Sequence, residues 1–161
     1  SLIDIFKNIL HDYKKLNSKD IPKGTIHGDL FPDNVLFNEK NQITGFLDFY
    51  FSDYNYLISD IAIVIISWCF YLDNNNHVLD FDKINILLKN YSKVRKIHSN
   101  EIDSLKLICK IYCMRFMFTR LIAQNNDYDK NKILRKNPNE YIIKLLYFNN
   151  IDNFRLSINY E

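Results

Sequence analysis

The chain has 161 residues, which is the size of one ordinary domain. Hydrophobic residues make up 47% and charged residues 25%, a balance that supplies a core and excludes a disordered chain. With 21 Lys and Arg against 19 Asp and Glu, the net charge is only +2, which argues against a dedicated nucleic-acid or membrane-surface binder. Only three Gly and three Pro are present, so we expect mostly regular elements, chiefly helices.

The first half of the chain predicts one helix followed by a hairpin. Apolar residues recur at helical spacing over 2–16 and predict an amphipathic helix, which Pro22 and Gly24 bring to an end. Two short apolar runs, 35–37 and 43–47, lie on either side of a polar turn and predict a two-stranded hairpin.

From about Tyr56 onward every segment predicts helix. Residues 57–71 are almost wholly apolar, which indicates a buried helix. The longest apolar run, 61–72, is shorter than the roughly 20 residues that a membrane-spanning helix needs. We therefore expect no membrane-spanning segment here.

Three further helices follow in the second half. Asp80 is positioned to cap a helix over 81–91, and residues 101–124 predict a long helix. Pro138 can open a last helix that runs to about Phe148. The segments 73–79 and 124–137 are polar, and we expect them to be exposed loops. We expect residues 1–161 to form one α+β domain that is mostly α-helical.

The cysteines and the first ten residues indicate the cellular compartment in which the chain is expected. Cys69, Cys109 and Cys113 are an odd set with no paired framework, so we expect reduced, buried thiols. The first ten residues lack the basic start and the small-residue cleavage site of a signal peptide. Both observations favour the cytoplasm.

One segment carries much more chemistry than an ordinary loop: it reads His27-Gly28-Asp29-Leu30-Phe31-Pro32-Asp33-Asn34. It matches H-x-D-x-x-x-x-N, which is similar to the catalytic loop of the kinase superfamily. Asp48 follows fourteen residues after Asn34, at the end of the second hairpin strand, where that superfamily places its metal-binding Asp. The loop, the hairpin and the Asp in this order are a far more specific indication of a kinase-like site than any one of them alone.

Each part of this pattern also has a plain explanation when it is taken singly. His-Gly-Asp arises often by chance, and Asp33-Asn34 after Pro32 predicts an ordinary turn. The ordered combination with Asp48 favours a kinase-like site. An unrelated carboxylate site for Mg²⁺ is the remaining alternative.

Phosphoryl transfer explains why these residue types are needed. The reaction requires a substrate hydroxyl held in line with a highly charged γ-phosphate. Asp29, with an ordinary Asp pKa of about 4, would orient the hydroxyl and accept its proton late. The carbonyl oxygen of Asn34 and the carboxylate of Asp48 are hard ligands suited to Mg²⁺, which would relieve the repulsion between carboxylates and ATP.

A narrower family likeness covers nearly the whole chain. Residues 26–37 closely resemble the catalytic loop of bacterial homoserine kinases of the second type, a family that belongs with aminoglycoside phosphotransferases and choline kinases. Residues 45–51 resemble its metal-Asp segment. Further matches are Asp60-Ile61-Ala62, Trp68-Cys69, Met114-Arg115-Phe116, Thr119-Arg120-Leu121 and Asn137-Pro138-Asn139-Glu140-Tyr141. The resemblance implies ATP-dependent phosphorylation of L-homoserine, a step of threonine biosynthesis.

The resemblance also implies roles for the loop residues. Asp29 would be the catalytic base, and Asn34 and Asp48 would be the Mg²⁺ ligands. His27 and Asp60 would support the loop. The implied cofactors are Mg²⁺ and, as co-substrate, ATP.

Substrate contacts are less sharply implied. Leu36 would lie beneath the adenine, and the homoserine carboxylate would be bound by Arg115 or Arg120, because a bidentate Arg suits a carboxylate. Pairing of either Arg with helix neighbours is an equal alternative. The chain departs from the family at 54–55 and 66–67, where Tyr-Asn and Ile-Ser replace acidic or Asn-Asp pairs. An aminoglycoside or choline-like alcohol therefore stays open as substrate.

A kinase of this kind also needs an N-terminal lobe that covers the phosphates. Only 28 residues precede Asp29, and they contain no Gly-rich strand–turn–strand. We expect a kinase-like C-terminal lobe whose N-terminal lobe is missing, with an apolar uncovered cleft face. The isolated chain would then have negligible activity, and a lobe supplied in trans is a possible partner. A non-enzymatic remnant that keeps the fold is the third hypothesis.

Overall fold

The computed structural model describes residues 1–74, 76–125, 137–152, 154 and 156. These residues form a mostly helical α+β structure with short antiparallel strand pairs, which confirms the predicted fold class. The helices are α1 (Leu2–Leu16), α2 (Ile58–Trp68), α3 (Phe81–Ser92), α4 (Ser99–Asn125) and α5 (Asn139–Asn150). The strands are β1 (Lys23–Ile26), β2 (Val35–Phe37), β3 (Ile43–Phe46), β4 (Asp53–Tyr56), β5 (Phe70–Asp73) and β6 (Asn76–Leu79).

Helix α1 has the predicted bounds. Ser1 caps it, because its side chain accepts from the Asp4 backbone while the Asp4 carboxylate accepts from Ser1. Ile9 and Leu16 are buried on the inner face. The remaining positions are mostly polar and face solvent.

The predicted hairpin is present as β2 and β3, which pair antiparallel with Val35 opposite Phe46. Its turn is organised by Asn38, whose side-chain oxygen accepts from the backbone N–H groups of Lys40 and Gln42. Asn41 takes a positive φ of 56°, a conformation that Asn tolerates. The loop that follows Asp29 thus leads directly into β2.

Two other strand pairs depart from the prediction. β1 pairs antiparallel with β4, from Lys23 opposite Tyr56 to Ile26 opposite Asp53. The prediction that every segment after Tyr56 is helical is wrong at β5 and β6, which form a hairpin. Helix α2 accordingly ends at Trp68 and not at residue 71. In the expected exposed loop 73–79, Asp73 and Asn76–Leu79 are strand, while Asp73, Asn74 and Asn76 are exposed as predicted.

Aromatic packing explains the early end of α2. The Phe70 ring lies 5.6 Å from the Tyr147 ring and 5.7 Å from the Phe148 ring, both on α5. A strand conformation after Trp68 lets this ring contact α5. The Cys69 carbonyl then accepts from the Asp80 N–H at 2.7 Å and closes the hairpin onto the start of α3.

The later helices agree with the prediction within two residues at each end. Asp80 caps α3 through a hydrogen bond from the Lys83 N–H, and α4 extends the predicted 101–124 helix slightly at both ends. Of the expected loop 124–137, residues 124 and 125 are in α4 and residues 126–136 lie outside the described residues.

The core is built around α2, where the Ile side chains at 58, 61, 63, 65 and 66 are all buried. Helix α4 packs against α1, α2 and α5. None of the helices in the described part of the chain combines the length and the apolar character needed to cross a membrane. The strand pairs β1–β4 and β2–β3 lie at one edge, where they hold the segment 27–34.

Candidate active site

The segment 27–34 begins with a backbone turn that only glycine fits. Gly28 has a φ of 78°, and a Cβ at this position would lie 2.4 Å from the carbonyl oxygen of Phe51. A side chain would therefore be strained in conformation and would also collide with backbone. The loop and the turn after β3 touch at this point.

Asp60, in the first turn of α2, holds the start of the loop. Its two carboxylate oxygens accept from the backbone N–H groups of His27 at 2.8 Å and Gly28 at 2.9 Å. Charge-assisted bonds of this kind are stronger than neutral ones. The structure therefore fixes the loop to the central helix through the residue that the sequence assigned to loop support.

The backbone of Leu47 connects the loop to the segment that carries Asp48. The Leu47 carbonyl accepts from the buried His27 ring at 2.8 Å, which makes Nε2 the protonated nitrogen, and the Leu47 N–H donates to the Asn34 carbonyl at 2.9 Å. One residue thus joins both ends of the loop. Asp48 follows Leu47 directly, so its backbone begins one residue from this bridge.

Asp29 and Asn34 are in direct contact. The Asn34 side-chain amide donates to the Asp29 carbonyl at 2.7 Å and to its carboxylate at 3.1 Å. Because the NH₂ group makes these bonds, the Asn34 side-chain carbonyl oxygen is left as an acceptor.

The pKa of the Asp29 carboxyl shows which charges surround it. Burial raises this pKa, while the Asn34 hydrogen bond and the Arg115 charge lower it, and the net direction is upward. The negative charges of Asp48 and Asp33 contribute to the rise. The charges of Asp48 and Asp33 therefore act on the Asp29 carboxyl.

The donor set fits Mg²⁺. Asp48 is exposed, has a φ of 58°, and stands at the start of the turn Phe49–Phe51. Among the described residues no three His, Cys, Asp or Glu side chains cluster as a metal cage. Mg²⁺ in nucleotide sites uses one or two carboxylates together with phosphates and water, so a site of the predicted ligands Asn34 and Asp48 does not require such a cage.

The two candidate arginines lie in different cavities. Arg115 donates to the Gly28 carbonyl at 3.0 Å, and its guanidinium lies 5.2 Å from the ring centre of Phe51. It lines a cavity of about 340 Å³ between α1, α4 and the β1–β4 pair, which we call the Arg115 cavity. This cavity also contains Tyr13, Ile26, Phe51, Asp53, Asn55, Tyr56, Ser59, Ile108, Ile111 and Tyr112.

Arg120 contacts the start of α5. It donates to Glu140 at 2.8 Å and to the Asn137 carbonyl at 2.9 Å, and its guanidinium lies 4.3 Å from the Tyr141 ring centre. It lines a cavity of about 350 Å³, called here the Arg120 cavity, together with Phe31, Pro32, Asp33, Ser67, Asn137, Glu140 and Tyr141. Burial raises the pKa of Tyr141, and the charges of Glu140 and Asp29 add to the rise.

The sequence analysis missed the partners of Arg120. Lys144 is buried and donates to the Ile66 carbonyl at 2.8 Å and to Glu140 at 2.5 Å. Glu140 thus pairs with two cations, one on α4 and one on its own helix. The four-residue spacing of Glu140 and Lys144 was the available signal.

The hairpin and the segment after it expose many large apolar side chains. Leu36 is 45% exposed on β2, and Tyr50 in the turn after β3 is 86% exposed. The other exposed apolar side chains of residues 35–54, grouped here with these two as the hairpin face, are Phe37, Ile43, Phe46, Leu47, Phe49, Phe51 and Tyr54. A patch with this many large apolar side chains is unusual on a free surface and marks a contact or ligand site.

Comparisons with known proteins agree with this geometry. Residues 4–81 match the model of the phosphotransferase enzyme family. The chain is 37% identical over 129 residues to a homoserine kinase of Rhizobium meliloti, with 80% of the chain and 38% of that protein covered. It is 36% identical over 133 residues to a homoserine kinase of Bartonella tribocorum, with 83% of the chain and 40% of that protein covered.

A homoserine kinase of Nitrobacter hamburgensis is 34% identical over 161 aligned residues, which cover 95% of the chain and 48% of that protein. The chain thus spans less than half the length of these curated relatives. The chain is thus similar to the phosphotransferase enzyme family over residues 4–81, and the relatives named here are homoserine kinases.

Proposed function

We propose that this chain forms the C-terminal catalytic lobe of an enzyme that transfers the γ-phosphoryl group of ATP to the hydroxyl of L-homoserine. The observation that carries the proposal is the backbone bridge at Leu47, which brings the segment of Asp48 against the loop of Asp29 and Asn34. The names of the relatives support homoserine as the acceptor substrate in this proposal.

In this proposal Asp29 orients the acceptor hydroxyl. Its carboxylate is steadied by the Asn34 amide, so one oxygen can accept from the hydroxyl in a fixed direction. The raised pKa brings Asp29 closer to the range in which it can take up the proton as the phosphoryl group is transferred. The loop stays in place because Asp60 holds its backbone.

Asn34 and Asp48 would hold Mg²⁺. The ion, when bound, neutralises charge on the phosphates of ATP. Leu36, exposed on β2, would lie beneath the adenine. The hairpin face would be covered by nucleotide and by an N-terminal lobe, which would belong to the same protein or be supplied in trans.

In this proposal the acceptor occupies the Arg120 cavity, whose lining includes Asp33 of the loop. An amino acid carries one carboxylate and one ammonium, and this cavity offers a guanidinium together with the carboxylates of Asp33 and Glu140. A guanidinium has five N–H donors, so Arg120 can bind a substrate carboxylate in addition to Glu140. The three buried free cysteines suit a reducing compartment such as the cytoplasm.

Two other functions have weaker support. A kinase for aminoglycosides or choline would need a purely anionic pocket for a cationic substrate, whereas Arg120 puts a positive charge in this one. A non-enzymatic remnant would not need the contact between Asp29 and Asn34 or the backbone bridge at Leu47.

A chimera tests the proposal. The N-terminal part of the Rhizobium meliloti homoserine kinase is joined ahead of Ser1, and ATP-dependent phosphorylation is measured with L-homoserine, choline and an aminoglycoside. We expect L-homoserine to be the preferred acceptor and the chain alone to show negligible turnover. Preference for choline or the aminoglycoside would refute the substrate assignment, and a folded chimera that phosphorylates none of the three would refute the catalytic role.

A further inference from the structure

Trp68 is the last residue of α2 and the only tryptophan in the sequence, and the function proposed above gives it no role. Its indole Nε1 donates to the Leu30 carbonyl at 3.0 Å, one residue after Asp29. The half-buried ring also contacts the hairpin, since its centre lies 6.2 Å from that of the Phe37 ring on β2. The indole N–H can only donate, so the bond needs the Leu30 carbonyl as its acceptor.

This bond is the last of three that hold consecutive carbonyls, those of residues 28–30. The first carbonyl accepts from Arg115 on α4 at 3.0 Å, and the second accepts from the Asn34 amide at 2.7 Å. The third accepts from Trp68 on α2. The backbone is thus fixed on both sides of Asp29 by donors from three different parts of the fold.

Ser67 is a weaker partner of the Leu30 carbonyl. Its hydroxyl oxygen lies 3.3 Å from that carbonyl but only 2.6 Å from the Ile63 carbonyl, one turn earlier in α2. A hydroxyl has one proton, which goes to the closer acceptor. Trp68 is therefore the main donor to the Leu30 carbonyl, and removal of its N–H would leave that carbonyl with the long contact to Ser67.

The loop has one anchor at each end of α2. In the first turn of this helix, Asp60 accepts from the backbone N–H groups of residues 27 and 28. At the last residue of the helix, Trp68 donates to the carbonyl of residue 30. Asp60 thus holds the side of the loop that precedes Asp29, and Trp68 holds the side that follows it.

We propose that Trp68 is a positioning residue for phosphotransfer: its indole N–H fixes the Leu30 carbonyl and thereby the direction of the Asp29 carboxylate. This role rests on the function proposed above, in which Asp29 orients the acceptor hydroxyl. An interaction that orients a reacting group stabilises the transition state more than the bound substrate, so it sets kcat and not KM. A misplacement of about 1 Å can lower a rate on the order of 10²-fold.

The N–H can be removed while the shape of the ring is kept. Benzothienylalanine, which has sulfur in place of the N–H, is incorporated at position 68 of the chimera described above. We expect kcat to fall about tenfold or more, with the KM values for ATP and L-homoserine within about twofold of those of the unsubstituted chimera. Azatryptophan at the same position keeps the N–H and should preserve kcat. Tyr71→Phe, on an exposed aromatic residue of β5, is the control and should also preserve it.

The hydrogen bond itself is tested on the 161-residue chain, where the single tryptophan gives one indole N–H resonance. We expect hydrogen exchange of this proton to be at least about tenfold slower than in free tryptophan. Benzothienylalanine at position 68 should shift the amide resonance of Gly28 in the loop and leave that of Gly24 on β1 unchanged. Circular dichroism melting verifies that each protein is folded.

The outcomes separate the role of Trp68 from the proposed function. An active chimera in which benzothienylalanine leaves kcat within about twofold, or raises KM alone, would overturn the role and leave the function standing. An indole N–H that exchanges as fast as in free tryptophan would do the same. An unsubstituted chimera without turnover would refute the proposed function and the role of Trp68 together.

Discussion

Asp60 shows how a single side chain sets the geometry of this site. Its carboxylate accepts from two consecutive backbone N–H groups, of His27 and Gly28, across more than thirty residues of sequence. Both groups are buried, so neither could turn to water if the carboxylate were removed. The position of the loop on α2 depends on these two bonds.

Asp60→Asn should therefore destabilise the chain. The Asn side chain keeps one acceptor oxygen but presents an NH₂ group to the second backbone N–H, and we expect a loss of about 1–3 kcal/mol in the free energy of unfolding, measured by urea titration. As the control, Asp12→Asn on α1 removes an exposed ion pair with Lys15. This substitution should change the free energy of unfolding by less than about 1 kcal/mol. Equal effects of the two substitutions would show that Asp60 does not anchor the loop.

The side chains of the loop could be predicted, but their contacts could not. The spacing of His27, Asp29 and Asn34 is a local pattern, and it is visible in the sequence. The Leu47 backbone bridge and the Arg115 bond to Gly28 join segments that are 13 to 87 residues apart. No local pattern carries that information, so the split of Arg115 and Arg120 between two cavities appears only in the folded structure.

At the scale of elements, α4 and α5 are joined by a charge network. Glu140 on α5 pairs with Arg120 on α4 and with the buried Lys144 on α5. Burial by itself raises the pKa of Glu140, but the hydrogen bonds from Arg120 and Lys144 outweigh it, so the pKa lies below its ordinary value. Since the folded state favours the ionised form, Glu140 stabilises the fold above its ordinary pKa and loses this contribution as the pH falls.

Glu140→Gln tests this network through its pH dependence. At about pH 7 we expect the variant to be less stable by about 1–3 kcal/mol, because Lys144 is left buried without its anion. The difference should shrink when unfolding is measured at about pH 3, where Glu140 itself becomes protonated. Glu39→Gln, in the exposed hairpin turn, serves as the control. A difference that is the same at both pH values would contradict the assignment.

The elements were predictable where their patterns are long. Helices α1, α3 and α4 have enough turns to show the helical repeat, and Asp80 marks a start. The four-residue strands β1 and β4 are too short to show alternation, and their partners are distant. Phe70–Asp73 continues the apolar run of α2, so only its contact with the α5 rings separates it from the helix.

At the scale of the whole molecule, the site and the hairpin face adjoin one another. Asp48 lies between β3 and the turn Phe49–Phe51, and the side chains around it are apolar and exposed. The relatives are more than twice as long as the stretch they share with this chain. Both observations support the proposed partner lobe over this face, so the turnover measurements use the chimera.

The central claim is that Asp29, Asn34 and Asp48 act on one Mg²⁺–nucleotide phosphate. Its most direct measurement is the Mg²⁺-dependent rate of the chimera carrying Asp48→Asn, with Asp82→Asn on the exposed start of α3 as the matched control. We predict that Asp48→Asn lowers turnover by about 10²-fold or more while Asp82→Asn stays near the unsubstituted rate. An Asp48→Asn chimera that phosphorylates L-homoserine within a few-fold of the unsubstituted rate would contradict the claim.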